Sequence, residues 1–128
     1  MIYLDSSVVL ARILVEDRRP HPSLWQDLLF SSRLLQYEVW VRLNARELHR
    51  SHGNVATALI NRITLIELKP EVLERALEPF PLPVRTLDAL HLASIEFLRG
   101  RQQSVELASY DSRLTTAARA LGIPVMAL

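Results

Sequence analysis

The segment from residue 104 to residue 128 reads SVELASYDSRLTTAARALGIPVMAL, and it predicts a strand, a helix and a second strand in immediate succession. SVELASY alternates weakly between apolar and polar residues, which favours a strand that delivers Asp111 at its end. SRLTTAARAL has helical spacing, Gly122 is a typical residue just past a helix end, and IPVMAL predicts a final strand. Because strand–helix–strand units build parallel sheets, this end of the chain already favours an α/β fold.

The same alternation of strands and helices extends through the rest of the chain. The first half is predicted to begin with a strand at 1–4 and a helix at 7–17, which Ser6 or Ser7 caps. A helix over 23–32 and a possible short strand at 33–36 follow. A longer helix is predicted from Tyr37 to His52, with Gly53 and Asn54 as its stop signal. The second half is predicted as a helix from Val55, a strand or helix at 63–68, a helix opened by Pro70, and a helix to Gly100 with Thr86 as its N-cap. The predicted fold class is α/β, a three-layer α/β/α sandwich with a mostly parallel central sheet, in a single domain over residues 1–128.

Composition narrows the possible functions. The chain has 128 residues, 49% of them hydrophobic, which is enough to bury a core without covalent cross-links. The absence of cysteine excludes a disulfide framework, a thiolate metal site and a cysteine nucleophile. The net charge is only +1, although Lys69 is the only lysine and arginine suits bidentate phosphate contacts. No basic leader and no apolar run of membrane-spanning length is found, so a soluble, cytoplasmic protein is expected.

Four acidic residues are predicted at the ends of elements. Asp5 and Asp111 follow strands, and ligands of open α/β sheets bind in the crevice beyond the carboxyl ends of the strands. Asp88 lies in the first turn of a predicted helix, and Glu38 begins another. Taken singly, Asp88 also suits a helix dipole and Asp111 also suits an N-cap. Taken together, four carboxylates offer the oxygen donors that a hard divalent cation prefers.

Four segments carry a resemblance to a known family. IYLDSSVVL, YEVWVRL, RTLDALHLA and ASYDSRLTTAARALGIPV resemble, in that order, the four acidic blocks of PIN-domain ribonucleases, especially the VapC-type toxins of toxin–antitoxin pairs. The likeness extends from Ile2 to Val125. It implies a PIN-like fold and a divalent-metal-dependent endoribonuclease, which would hydrolyse RNA to leave a 5′-phosphate and a 3′-hydroxyl.

The resemblance also implies a site and partners. The implied catalytic and metal-holding acids are Asp5, Glu38, Asp88 and Asp111, the ion is Mg²⁺ or Mn²⁺, and the supporting hydroxyls are Ser6 and Ser109. Relatives often carry a hydroxyl residue shortly before the second acid, where this chain reads LLQY, so Glu38 departs most from the family pattern. An antitoxin protein and a second copy of the chain are the implied protein partners. Apolar residues of the first helices are candidates for those contacts, namely Leu10, Ile13, Leu14 and Trp25.

Several basic residues lie near the acids in the predicted elements. Arg42 and Arg46 follow Glu38 along one stripe of the helix predicted at 37–52, and Arg50 flanks that stripe. The stripe can lead RNA phosphates toward the acids, or it can be a solvated face with i, i+4 ion pairs. His91, one turn after Asp88, suits a general base or phosphate contact, but a histidine within an apolar helix more often has a structural role.

Three other classes of protein share parts of this pattern. Phosphate-accepting receiver domains use a Lys-Pro pair late in the chain, whereas Lys69-Pro70 precedes two of the acids here. Haloacid-dehalogenase phosphatases need a second aspartate two residues after the first, where this chain has Ser7. A non-catalytic PIN-like module that binds RNA or protein remains the alternative, because activity depends on fine ligand geometry.

Overall fold

Strands and helices alternate along most of the chain in the computed structural model, which describes all of residues 1–128. The strands are β1 (Ile2–Leu4), β2 (Leu29–Ser32), β3 (Thr64–Ile66) and β4 (Glu106–Ala108). The helices are α1 (Ser6–Ile13), α2 (Leu34–Ala45), α3 (His49–Ile60), α4 (Pro70–Ala76), α5 (Thr86–Gly100) and α6 (Ser112–Ala120), and a 3₁₀ helix covers Pro22–Gln26. None of the helices combines the length and the apolar composition that crossing a membrane requires.

The four strands form one sheet in the order β3-β2-β1-β4, and every neighbouring pair is parallel. Side chains of the central strand β1 alternate between two hydrophobic clusters, with Ile2 and Leu4 in one and Tyr3 in the other. The first cluster is completed by α1, α2 and α3, and the second by α5 and α6. Parallel strands are typically buried on both faces in this way. The predicted three-layer α/β/α sandwich is confirmed.

The strand order fixes where a ligand can reach the sheet. From β1 the chain continues to β2 and β3 on one side of the sheet and later returns to place β4 on the other side. The helices that follow β1 and β4 therefore leave toward opposite faces, which opens a crevice beyond the carboxyl ends of these two strands. Asp5 follows β1 directly and Asp111 lies three residues after β4, so both acids stand at this crevice.

The second strand lies earlier in the chain than the pattern predicts. The spacing of Leu24, Trp25, Leu28 and Leu29 predicts one helix over 23–32 and a possible strand at 33–36. Instead a 3₁₀ helix ends at Gln26, β2 begins at Leu29, and α2 begins at Leu34. Ser31 and Ser32 are buried within β2, where Ser31 Oγ donates to the Leu4 carbonyl (2.7 Å). Long-range hydrogen bonds of this kind make polar residues acceptable in a buried strand, but sequence periodicity does not reveal them.

The long helix predicted from Tyr37 to His52 is two helices. α2 ends at Ala45, and the chain turns through Glu47, whose φ of 57° lies in the left-handed region, before α3 begins at His49. Gly53, predicted as a stop, lies inside α3. A Cβ atom at position 53 would come within 3.1 Å of the Trp40 ring, so this glycine lets α3 pack closely against α2.

Smaller differences concern caps and the last strand. Thr86 is the first residue of α5 rather than its N-cap, which is Arg85, and Asp5 rather than Ser6 or Ser7 precedes α1 as the N-cap. The predicted strand at 123–128 reduces to one bridge between Leu107 and Val125. α4 begins at Pro70 as predicted, and residues 63–68 contain a strand. α6 is capped by Asp111 and followed by Gly122 with φ of 73°.

Candidate active site

Asp5 is the most deeply fixed of the four acids. The residue is only 6% exposed, and its Oδ2 accepts hydrogen bonds from Ser7 Oγ (2.6 Å) and Ser109 Oγ (2.8 Å). Burying a carboxylate is costly unless it is hydrogen-bonded, and two hydroxyl donors meet that requirement. Oδ1 accepts no hydrogen bond from the protein, so one oxygen of Asp5 stays available.

The two serines also join the ends of β1 and β4. Ser7 Oγ accepts the Tyr110 N–H (2.9 Å), and Ser109 Oγ accepts the Asp111 N–H (2.9 Å). Each hydroxyl thus donates to Asp5 while it accepts from the backbone after β4. Ser109 lies where the resemblance implies a supporting hydroxyl. Ser6 lines the cleft without a side-chain hydrogen bond, and Ser7, which sequence reasoning did not select, makes the contact with Asp5.

Glu38 is held by a chain of buried hydrogen bonds. Its Oε1 lies 2.6 Å from His91 Nε2, and His91 Nδ1 lies 2.7 Å from the Tyr3 hydroxyl, which accepts the Ser32 N–H (3.1 Å). Burial raises the pKa of Tyr3 well above its ordinary value, so this hydroxyl keeps its proton. The chain runs from the sheet through α5 to the first turns of α2, and it fixes the direction of the Glu38 carboxylate.

His91 orients Glu38 and does not itself face a ligand. One ligand atom each from Asp5, Glu38 and His91 lie within 4.8 Å of one another, which by proximity alone would suit a metal. Both ring nitrogens are already engaged, however, Nδ1 with the Tyr3 hydroxyl and Nε2 with the Glu38 carboxylate. Burial lowers the pKa of His91, but the hydrogen bond and charge of Glu38 outweigh it, and the pKa is raised overall.

Asp88 and Asp111 are bridged by one arginine. Arg85 donates from Nε to Asp88 Oδ2 (3.1 Å) and from Nη2 to Asp111 Oδ2 (2.9 Å). Asp111 Oδ1 accepts the backbone N–H groups of Arg113 (2.9 Å) and Leu114 (3.3 Å), which makes Asp111 the N-cap of α6. Asp111 is therefore both the N-cap of α6 and a neighbour of the other acids.

The four acids converge on one cleft of about 590 Å³. Its lining also includes Ser6, Ser7, Thr86 and the arginines Arg18, Arg42, Arg46 and Arg85. Arg42 and Arg46 extend along α2 from Glu38, as the predicted stripe requires. Arg50 is exposed on α3, beyond the break in the predicted helix, and is not among the residues that line the cleft.

The donor set fits a hard divalent cation. Asp5 Oδ1, Glu38 Oε2 and Asp88 Oδ1 accept no hydrogen bond from the protein, while the other oxygen of each acid is hydrogen-bonded to a neighbouring side chain. Carboxylate oxygens without nitrogen or sulfur ligands are typical of Mg²⁺ and Mn²⁺ sites. Fixing one oxygen while the second stays available is the arrangement by which surrounding groups orient metal ligands.

Fold and site together define the class of protein, an α/β sandwich with an acid-lined cleft beyond its parallel strands. The family model described as PIN domain matches residues 2–120, and the chain belongs to the PIN-domain family. It is similar to Ribonuclease VapC46 of Mycobacterium tuberculosis, with 34% identity over 139 aligned positions that cover 98% of this chain and 96% of that protein. The resemblance drawn from the four sequence blocks is confirmed.

Proposed function

We propose that this protein is a divalent-metal-dependent endoribonuclease, the toxin of a type II toxin–antitoxin pair, and that it hydrolyses RNA phosphodiester bonds in the acidic cleft. The observation that carries the proposal is the set of carboxylate oxygens left without protein donors at the crevice beyond β1 and β4. Membership of the PIN-domain family and similarity to a protein named as a ribonuclease support it.

The residues that hold the ion in this proposal are Asp5, Glu38 and Asp88, with Asp111 completing the set. A bound Mg²⁺ or Mn²⁺ would lower the pKa of a bound water and neutralise charge on the scissile phosphate. Ser7 and Ser109 keep Asp5 in place, and His91 keeps Glu38 in place. Because Ser109 and His91 are buried, the Asp5 and Glu38 carboxylates are positioned before any ion arrives.

The RNA strand enters over α2 in this proposal. Arg42 and Arg46 are exposed, line the cleft and lie one and two turns beyond Glu38. Guanidinium groups bind phosphates in bidentate fashion, so this edge can hold the backbone beside the acids. Arg50 lies outside the cleft and serves at most the more distant part of the RNA.

The protein partners in the proposal are a cognate antitoxin and a second copy of the chain, in the cytoplasm. Three of the four residues suggested from sequence for these contacts, Leu10, Ile13 and Trp25, are buried in the core and are therefore unsuited. Tyr37 and Val41 are exposed on α2 beside Glu38 and Arg42, which makes them better candidates for an antitoxin segment that covers the cleft. Light scattering of the purified chain tests the homodimer.

Cleavage of end-labelled total RNA tests the function. The parent protein, freed of any co-purifying partner, is expected to cut with Mn²⁺ or Mg²⁺, to stop in EDTA, and to leave 5′-phosphate ends. Asp5→Asn should abolish cutting, whereas Asp27→Asn, at an exposed acid outside the cleft, should cut like the parent. A folded parent protein that cuts no RNA with either ion would contradict the proposal and favour the non-catalytic module.

A further inference from the structure

Arg85 lies beside two of the acids that would hold a cation. The residue immediately precedes α5, and its side chain is 56% exposed, so its position depends on few packing contacts. Its guanidinium nevertheless contacts two of the four acids at once, Asp88 in the first turn of α5 and Asp111 at the start of α6. No other arginine that lines the cleft forms an ion pair with any of the four acids.

The hydrogen bonds of Asp111 make this contact consequential. Both lone pairs of Oδ1 are used by the backbone N–H groups at the start of α6, so Oδ2 is the oxygen that Asp111 can offer to an ion. Oδ2 is the atom to which Arg85 Nη2 donates. A divalent ion on this oxygen would face the guanidinium at close range, and like charges at that distance repel.

We propose that Arg85 is a displaceable internal counter-ion, which neutralises Asp88 and Asp111 in the metal-free protein and must swing away before Asp111 can join the metal site. This inference rests on the proposed metal site and adds to it a competitor that belongs to the chain itself. Displacement is feasible because the exposed Arg85 side chain lets solvent screen both ion pairs, while a divalent ion carries twice the charge of the guanidinium.

Release of Arg85 by proton loss does not provide an alternative. The hydrogen bond to Asp88, followed by the charges of Asp88 and Asp111, raises the pKa of Arg85 above an ordinary value that is already far from neutral. The guanidinium therefore stays charged at every pH at which the protein is folded, and only another cation can take its place on the carboxylates.

Calorimetric titration with Mn²⁺ alone, without RNA, tests the competition. Arg85→Ala should lower the Kd for Mn²⁺ by about tenfold, because it removes the two ion pairs of an exposed arginine. Arg85→Lys keeps the charge but loses the two-pronged contact, so its Kd should lie between those of Arg85→Ala and the parent. The matched control is Arg18→Ala, which removes a cleft-lining cation that stacks on Tyr110 and contacts none of the acids. An Arg85→Ala Kd equal to the parent value, or lowered no more than by Arg18→Ala, would overturn the inference.

A second measurement observes the displacement in the parent protein. Mg²⁺ should shift or broaden the Nε–H NMR signal of Arg85 as its hydrogen bond to Asp88 breaks. The Nε–H signal of Arg33 is the internal control, because it donates to Glu67 (3.0 Å) outside the cleft and should not change. An Arg85 signal unchanged at saturating Mg²⁺ would mean that the arginine stays in place, contrary to the inference.

The two proposals fail in different ways. If no RNA is cut but Arg85→Ala binds Mn²⁺ more tightly than Arg18→Ala, the counter-ion inference stands and the nuclease proposal falls. If metal-dependent cutting is seen but Arg85→Ala does not change the Kd for Mn²⁺, the nuclease proposal stands and the counter-ion inference falls.

Discussion

The two halves of the acidic cleft are held in different ways. Asp5 and Glu38 are fixed by uncharged or buried partners, which are serine hydroxyls for the first and the His91–Tyr3 chain for the second. Asp88 and Asp111 are linked by an exposed arginine. The first half is therefore built as the sheet and helices pack, whereas the second depends on a side chain that solvent and ions can compete for. One half of such a site can be rigid before an ion binds while the other adjusts to it.

The largest effect is expected at the rigid half. Asp5→Asn removes the charge but keeps the shape, so the two serine hydroxyls retain an oxygen to which they can donate. We expect RNA cleavage at a fixed Mn²⁺ concentration to fall by more than about a hundredfold, beyond the usual effect of altering a residue that only orients a ligand. The free energy of unfolding should change little, because relief from repulsion by the other acids offsets lost hydrogen-bond strength. Rates and urea denaturation measured on one preparation separate the two effects.

The second prediction is that substitutions in the two halves of the cleft change the Mn²⁺ requirement in opposite directions. His91→Ala removes the group that orients Glu38, so the Mn²⁺ concentration for half-maximal cleavage should rise by about tenfold or more. Arg85→Ala should move the same midpoint in the opposite direction. His91→Gln, which offers an N–H at similar reach, should recover part of the loss. Midpoints that shift in the same direction for His91→Ala and Arg85→Ala would remove the distinction between the two halves.

A third effect concerns stability. Tyr3→Phe deletes one hydroxyl from the interior and leaves the Ser32 N–H and His91 Nδ1 without a partner. Leaving a buried polar group unsatisfied costs about 1–3 kcal/mol, so unfolding in urea should require correspondingly less denaturant. The exposed Tyr37→Phe is the matched control and should leave the midpoint unchanged. Equal midpoints for the two variants would show that the buried chain contributes nothing to the fold.

The sequence predicted the architecture and the convergence of the acids for a simple physical reason. The carboxyl ends of parallel strands meet at one edge of a sheet, so an acid after β1 and another after β4 must come close. Asp88 and Glu38 lie on helices, where spacing alone did not separate a site from a dipole or a solvated face, and the family resemblance supplied their assignment. The structure brings all four acids to one cleft.

The residues that hold the acids were harder to predict, because local spacing does not show which side chains meet. Ser6 and Ser7 both lie within two positions of Asp5, and the structure shows that Ser7 is the one that donates to it. His91 contacts Glu38, which is 53 positions away, and Tyr3, which is 88 positions away. Arg85 preceded a predicted helix and gave no sign of bridging to Asp111, 26 positions on. Local periodicity carries no information about contacts of this range.

The smallest effect is expected from an ion pair outside the cleft, and it indicates how strong the contacts of Arg85 with Asp88 and Asp111 can be. The exposed pair Arg33–Glu67 is the closest analogue of the Arg85 contacts, and the hydrogen bond from Arg33 lowers the pKa of Glu67. A carboxyl whose pKa is depressed on folding adds stability above its unfolded pKa and loses it as the pH falls through the folded one. The parent should therefore be slightly more stable than Glu67→Gln at pH 7, and the difference should shrink as the pH falls toward the lowered pKa of Glu67. Urea denaturation at pH 7 and at about pH 3 measures it. A large difference at pH 7 would mean that exposed arginine–carboxylate contacts in this protein are strong, and a divalent ion would then not readily displace Arg85.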